Sequence, residues 1–169
     1  ALETTGAKSD AATRPWIRQA YLFVPTKPCR FVDTRATSPH APLLPNTPQT
    51  FNFAGVSCTS DGSTITIPST GVGALAINVT MADGAYGGHL SIGNGSTSTI
   101  NWIPPQTAGD PNPSQLVKAN NAIAKLDAPG TLTMTYANDQ SLGTIDVIIA
   151  VFGYYQAMVS SSGTVQPVN

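Results

Sequence analysis

The segment GALAINVTM, residues 73–81, decides the fold class of this chain. Its leucine, isoleucine, valine and methionine recur at every second position, and smaller or polar residues fill the positions between them. A period of two is typical of a β-strand that buries one face and exposes the other. The segments STITI (63–67) and TLTMTY (131–136) alternate in the same way. We therefore expect a protein built from β-strands.

The composition and the spacing of the apolar segments favour the same fold class. The 169 residues include 15 glycines and 14 prolines, which interrupt helices and favour turns. Apolar segments recur about every 8–12 residues, and residues 144–155 form the longest of them. We predict an all-β antiparallel β-sandwich, jelly-roll-like or immunoglobulin-like, with about nine strands and with 144–155 as a central strand. Residues 116–126 are rich in alanine and are compatible with strand or helix.

Both ends of the chain differ from its middle. We expect an N-terminal arm at 1–20, a β-sandwich domain at 21–156 and a C-terminal arm at 157–169, because the arms are mostly polar and have no apolar period. The arms nevertheless carry spaced apolar residues, namely Trp16, Ile17, Val159, Val165 and Val168. An extended arm of this kind is able to lie along the open sheet edge of a neighbouring molecule.

The charge pattern argues against a nucleic-acid partner, and the lengths of the apolar runs argue against membrane insertion. The formal net charge is −1, charged residues make up 10% of the chain, and the eight lysines and arginines are scattered. We therefore expect no nucleic-acid partner, because such proteins carry a basic footprint. No run approaches the roughly 20 apolar residues that a membrane-spanning helix needs, so we expect no membrane insertion.

A series of short motifs resembles a family of secreted and cell-surface β-domains of bacteria. The family pattern is PCRxxDTR, NVT, SxxNy, aN and DvxGYf in that order, and it has no settled activity. This chain carries the corresponding segments Pro28–Arg35, Ala76–Thr80, Ser98–Trp102, Ala119-Asn120 and Ala150–Tyr155. The resemblance implies an extracellular or cell-surface protein whose signal peptide has been removed. Ala150 departs from the family, which usually has aspartate there, and Asp146 on the same strand is four residues too early to replace it.

The two cysteines point to one disulfide. Their even number, the export-like composition and the family resemblance together predict a bond between Cys29 and Cys58. The alternative is a pair of buried free thiols. The Asp61-Gly62 pair after the second cysteine is a turn signal.

The densest charge cluster comprises Arg30, Asp33 and Arg35. We favour a structural clamp of charge-assisted hydrogen bonds over a site for a carboxylate, a sugar or Ca²⁺. In a regular strand, Arg30 would lie on the face opposite to Asp33 and Arg35.

The sequence offers little for catalysis. His89 and Ser91 share a strand face, but Ser91 has no nucleophile-elbow motif, and His40 lies in a proline-rich loop. No histidine or cysteine spacing fits a metal site, so we expect no enzyme activity, no metal and no cofactor. The exception we consider is Ca²⁺ held by the loop carboxylates Asp83, Asp110 and Asp139.

These observations predict a non-enzymatic, extracellular structural or adhesive protein. Its expected partners are copies of itself, in a surface filament or layer, because the small net charge removes long-range repulsion between copies. The alternative function is a carbohydrate-binding module that binds surface glycans, with Trp102 as the sugar-stacking residue.

Overall fold

A computed structural model describes residues 20–36, 40–84, 86–93, 97–103, 117–161 and 164–167, with side chains up to 158. The fold is all-β, as predicted. The described residues form eleven strands and one short 3-10 turn, Thr34–Ala36. The strands are β1 (Tyr21–Asp33), β2 (Pro48–Asn52), β3 (Ser57–Ser60), β4 (Ser63–Thr66), β5 (Val72–Ala82), β6 (Gly88–Ile92), β7 (Ser98–Trp102), β8 (Lys118–Lys125), β9 (Thr131–Ala137), β10 (Asp146–Ser161) and β11 (Thr164–Pro167).

The strands form an antiparallel β-sandwich, which confirms the predicted architecture. One sheet has the order β1-β10-β5-β8, with β11 paired to the end of β10, and the other has the order β2-β9-β6-β7. The two sheets contribute to one hydrophobic core. Its fully buried side chains from the first sheet include Leu75, Ile77, Val79, Met81, Val147, Ile149 and Val151, and those from the second include Leu90, Leu132, Met134 and Tyr136.

Strand β10 is the central strand, as its apolar sequence predicts. It pairs with β1 on one side and with β5 on the other over most of its length. Val147, Ile149 and Val151 alternate into the core with no exposed surface. A strand with neighbours on both sides satisfies its backbone hydrogen bonds without water, which allows this burial.

Residues 118–125 form a strand, which resolves the ambiguity of that segment. β8 pairs with β5 at eight consecutive positions, from Ala74↔Lys125 to Met81↔Lys118. Ala124 and Leu126 are buried against the core. Helix propensity is a weak preference, and here the sheet pairing overrides the preference of the alanines for helix.

A small hairpin lies outside the two large sheets and is bonded to β1. β3 and β4 pair through a turn at Asp61 and Gly62, both of which have positive φ (47° and 74°). Positive φ at both central residues is the geometry of a type I′ turn, which suits the twist of a hairpin. The disulfide Cys29–Cys58 is formed and joins this hairpin to β1.

The C-terminal arm does not separate from the domain at residue 157. β10 continues through Ser161, and Ala157 is buried opposite Tyr21. Residues 158–161 then pair with 164–167, so the backbones of Val159 and Val165 belong to a terminal hairpin. Trp16, Ile17 and Val168 lie outside the described residues.

Replacement of both Cys29 and Cys58 by alanine is expected to lower the free energy of unfolding. The two cysteines are 29 residues apart, and the chain-entropy model gives about 3–4 kcal/mol for a loop of that size. Urea denaturation measures the loss, and hydrogen exchange should localise the loosening to β3 and β4. An unchanged unfolding free energy would contradict this role of the disulfide.

Candidate functional site

The arginines beside the disulfide share one carboxylate. Arg35 donates from Nε to Oδ1 of Asp33 and from Nη2 to Oδ2, both at 2.9 Å, in a bidentate fork. Arg30 donates from Nη1 to the same Oδ2 at 3.0 Å. The hydrogen bond from the Arg35 side chain is the main cause that lowers the pKa of Asp33 below its usual 3.8, against an opposing effect of burial. This geometry supports the interpretation as a structural clamp.

The clamp forms because β1 is irregular at this point. The pairing of β1 with β10 shifts by one residue between Arg30 and Val32, and the chain enters the 3-10 turn directly after Asp33. The expected placement of Arg30 on the face opposite to Asp33 and Arg35 is therefore wrong. A bulge breaks the alternation of side chains along a strand, and here it brings all three groups together.

A second polar cluster lies beside this clamp, around the buried carboxylate of Asp146. Thr34 Oγ1 donates to Asp146 Oδ1 at 2.6 Å and accepts from the backbone N–H of Val147 at 3.0 Å. His40 Nε2 lies 2.9 and 3.0 Å from the two carboxylate oxygens. Asp146 thus links the start of β10 to Thr34, the threonine of the DTR segment.

This cluster was not predicted, and only one sequence signal points to it. Asp146 precedes six consecutive apolar residues of a central strand, a position where an aspartate is unusual unless its carboxylate has partners. Thr34 is 1% exposed, so its hydroxyl is inaccessible to a substrate. Ser91 is also buried, at 5% exposure. Among the described residues, no group of three histidine, cysteine, aspartate or glutamate side chains is placed to hold a metal ion.

Trp102 is part of the core, which corrects its interpretation as a sugar-stacking residue. It is 6% exposed, and its ring stacks on that of Tyr136 with 5.5 Å between the centroids. Its Nε1 donates to the backbone oxygen of Tyr86 at 2.6 Å. A stacking residue has to present one ring face to its sugar, and the faces of Trp102 are covered by the protein.

The edge of the five-stranded sheet at β8 is open in the described part of the chain. No described strand pairs with β8 on the side away from β5. The N–H of Leu126 donates to Gly73, so by alternation the even-numbered residues of β8 face β5. The odd-numbered residues, from Ala119 to Lys125, consequently direct their backbone N–H and C=O groups towards the open edge.

One side chain covers part of this edge. Asn120 accepts from the N–H of Asn121 through Oδ1 at 2.9 Å and donates from Nδ2 to the oxygen of Thr99 at 2.8 Å. The first bond occupies one edge N–H, and the second ties β8 to β7 of the opposite sheet. The edge amides of Ala119, Ile123 and Lys125 keep their orientation towards the open side.

An apolar patch lies on the outer face of the same sheet, next to β8. We call it the outer patch, and it lines a shallow groove of about 320 Å³. Its apolar residues are Phe23, Ala76, Ile123, Phe152 and Tyr155. The rings of Phe23 and Tyr155 lie 5.1 Å apart, and Ile123 is 67% exposed. The phenyl ring of Phe23 packs directly on Gly153. A Cβ at this position would collide with the ring, so the packing requires glycine.

Comparisons of the chain with models of known protein families, with curated proteins and with solved structures gave no match. Within the described residues, the structure has no helix that is long and apolar enough to cross a membrane.

Replacement of Thr34 by valine is expected to cost about 1–3 kcal/mol of stability, because it removes one hydrogen bond from the buried Asp146 carboxylate and takes the hydroxyl partner from the buried N–H of Val147. Replacement of His40 by alanine should cost less, since its side chain is 54% exposed. Thermal and urea denaturation of the two variants give the comparison. Equal losses would show that the buried hydroxyl has no special part in this cluster.

The Asp33→Asn variant is expected to lose about 1 kcal/mol at neutral pH, a small value because both guanidinium groups are largely exposed to screening solvent. A lowered folded-state pKa stabilises the protein above the unfolded pKa, and this contribution disappears as the pH falls through the folded value. The difference from the wild type should therefore shrink between pH 7 and pH values below 3.8. Urea denaturation across this range tests it, and a difference independent of pH would refute the clamp.

Proposed function

We propose that this protein is a non-enzymatic, extracellular structural or adhesive subunit that assembles with copies of itself into a surface filament or layer. The observation that carries the proposal is the open edge of β8 beside the outer patch. An open edge accepts an added strand through backbone hydrogen bonds, and adjacent apolar side chains bury surface when that strand arrives. A strand that binds at β8 would therefore gain free energy both from backbone hydrogen bonds and from burial of apolar surface.

The charge composition supports assembly of like molecules. The formal net charge of −1 gives little repulsion between copies. Charged residues make up 10% of the chain, so few charges protect the sheet edges from strand pairing. The disulfide Cys29–Cys58 is compatible with an extracellular location, where such bonds persist.

The added strand is proposed to come from a terminal arm. The residues before Ala20 include Trp16 and Ile17, and they join the domain at the start of β1, close to Phe23 of the outer patch. A strand donated from one copy to the next makes a contact between two different surfaces. Such contacts continue into open polymers unless they close into a ring.

Carbohydrate binding is the second candidate function, and its candidate site is the outer patch instead of Trp102. The outer patch contains Phe23 and Tyr155, and the amide of Asn78 donates to Asn121 at 2.9 Å on the same face. Exposed aromatic rings beside amide groups suit a sugar, because the apolar face of the sugar stacks on the rings and its hydroxyls form hydrogen bonds with the amides. A glycan array with the wild type and a Phe23→Ala variant tests this candidate.

Assembly is expected to depend on the outer patch. In a concentration series followed by light scattering and negative-stain electron microscopy, the wild type should form filaments or sheets. Ile123→Lys should raise the concentration needed for assembly about fivefold or more, because it removes an apolar contact and leaves the fold intact. Leu44→Lys is the matched control, since Leu44 is 54% exposed and its neighbours Leu43 and Pro45 form bridges to Ile145 and Tyr136, outside β8.

Two outcomes separate the alternatives. A wild type that stays monomeric at every concentration would overturn the proposed function. Normal assembly by the Ile123→Lys variant would leave assembly in place and exclude the outer patch from the contact.

A further inference from the structure

The lysines of β8 differ from every other described lysine and arginine. Lys27 pairs with Asp61 at 3.2 Å, and Arg30 and Arg35 both pair with Asp33. Lys118 and Lys125 have no ion pair with any described residue. Both are exposed, and they are the first and last residues of the strand with the open edge. The unpaired positive charges of the described chain therefore mark the two ends of β8.

The N-terminal arm carries two negative charges at the same spacing. Glu3 and Asp10 are seven residues apart, as are Lys118 and Lys125. The residues between them, TTGAKS, contain no proline and no large side chain that would prevent an extended strand. A strand of residues 3–10 beside β8 would thus place a carboxylate at each lysine.

We propose that residues 3–10 of one copy add to the open edge of β8 in a second copy, with Glu3 and Asp10 paired to Lys118 and Lys125. This inference rests on the proposed function and names the segment, the receiving strand and the two charged positions that align them. Backbone hydrogen bonds to the odd-numbered residues of β8 supply the affinity, and the two ion pairs select the register.

The register also satisfies the alternation of side chains. Residues seven positions apart lie on opposite faces of a strand, so Lys118 and Lys125 are on opposite faces of the sheet, and Glu3 and Asp10 would be too. Lys125 lies opposite Ala74 on the outer face, whereas Lys118 lies opposite the core residue Met81. Residues directly opposite each other share a face, so each carboxylate meets its lysine on the correct side. Because the two spacings are equal, the charges match in a parallel or an antiparallel addition.

Other sources of negative charge fit less well. Asp139 and Asp146 are also seven residues apart, but Asp146 is 5% exposed and is held by Thr34 and His40. A second β8 strand would bring two further lysines to the same edge and no carboxylate. The N-terminal arm is the segment that supplies both charges on a strand-compatible sequence.

The test uses charge reversal in the full-length chain. The variants are Glu3→Lys/Asp10→Lys, Lys118→Glu/Lys125→Glu, and the combination of all four changes, which keeps the net charge at −1. Each two-site variant should raise the concentration needed for assembly about tenfold or more, because opposed charges become like charges at two facing positions. The four-site variant should return to within about threefold of the wild type, because the pairs are restored with opposite polarity.

A matched pair of neutral variants controls for net charge. Glu3→Gln/Asp10→Asn and Asp83→Asn/Asp139→Asn both change the net charge from −1 to +1, since each removes two negative charges. Asp83 and Asp139 are exposed and lie outside β8. The Glu3→Gln/Asp10→Asn variant should raise the concentration needed for assembly, and the Asp83→Asn/Asp139→Asn variant should leave it unchanged.

The outcomes distinguish this inference from the proposed function. Failure of the wild type to assemble would overturn both. A wild type that assembles while the two-site variants assemble equally well would overturn the inference alone. Stronger assembly by the two-site variants would also overturn it, because it would show that the arm covers β8 of its own molecule and blocks the edge.

Discussion

The pairing of β10 with β1 and β5 is the interaction on which the rest of the structure depends. This strand places Val147, Ile149 and Val151 in the core while its two neighbours satisfy its backbone. Its position fixes which strands form the edges of the five-stranded sheet, namely β1 and β8. The buried cluster at Asp146 and the outer patch at Tyr155 both lie on this one strand, so the polar and apolar features are placed by a single element.

The two edges of that sheet differ in what covers them. β1 contacts the β3–β4 hairpin, and the disulfide at Cys29 holds the hairpin there. β8 has no such cover in the described chain, apart from the amide of Asn120. Unprotected edges are a liability that proteins usually block with charges, bulges or extra structure. Under the proposed strand addition, the two lysines at the ends of β8 favour a strand that brings two carboxylates at the same spacing over strands without them.

Local patterns in the sequence predicted most of the strands, the central position of β10 and the turn at Asp61-Gly62, but they left 116–126 open between strand and helix. The disulfide was predicted from the cysteine count, the composition and the family resemblance. They did not predict the cluster of Thr34, His40 and Asp146, because its partners are more than 100 residues apart and meet through the β1–β10 pairing. The alternation expected around Arg30 was wrong, since a bulge depends on the neighbouring strand. Trp102 was misassigned because the position of an aromatic residue along the chain does not show whether its ring faces the core.

Hydrogen exchange of the backbone amides of β8, compared between assembled and dilute protein, tests strand addition most directly. The account predicts that the edge amides of Ala119, Ile123 and Lys125 exchange rapidly in dilute protein and become strongly protected on assembly. The even-numbered amides, which face β5, should be protected in both states. Assembled protein in which the edge amides exchange as fast as in dilute protein would contradict the account.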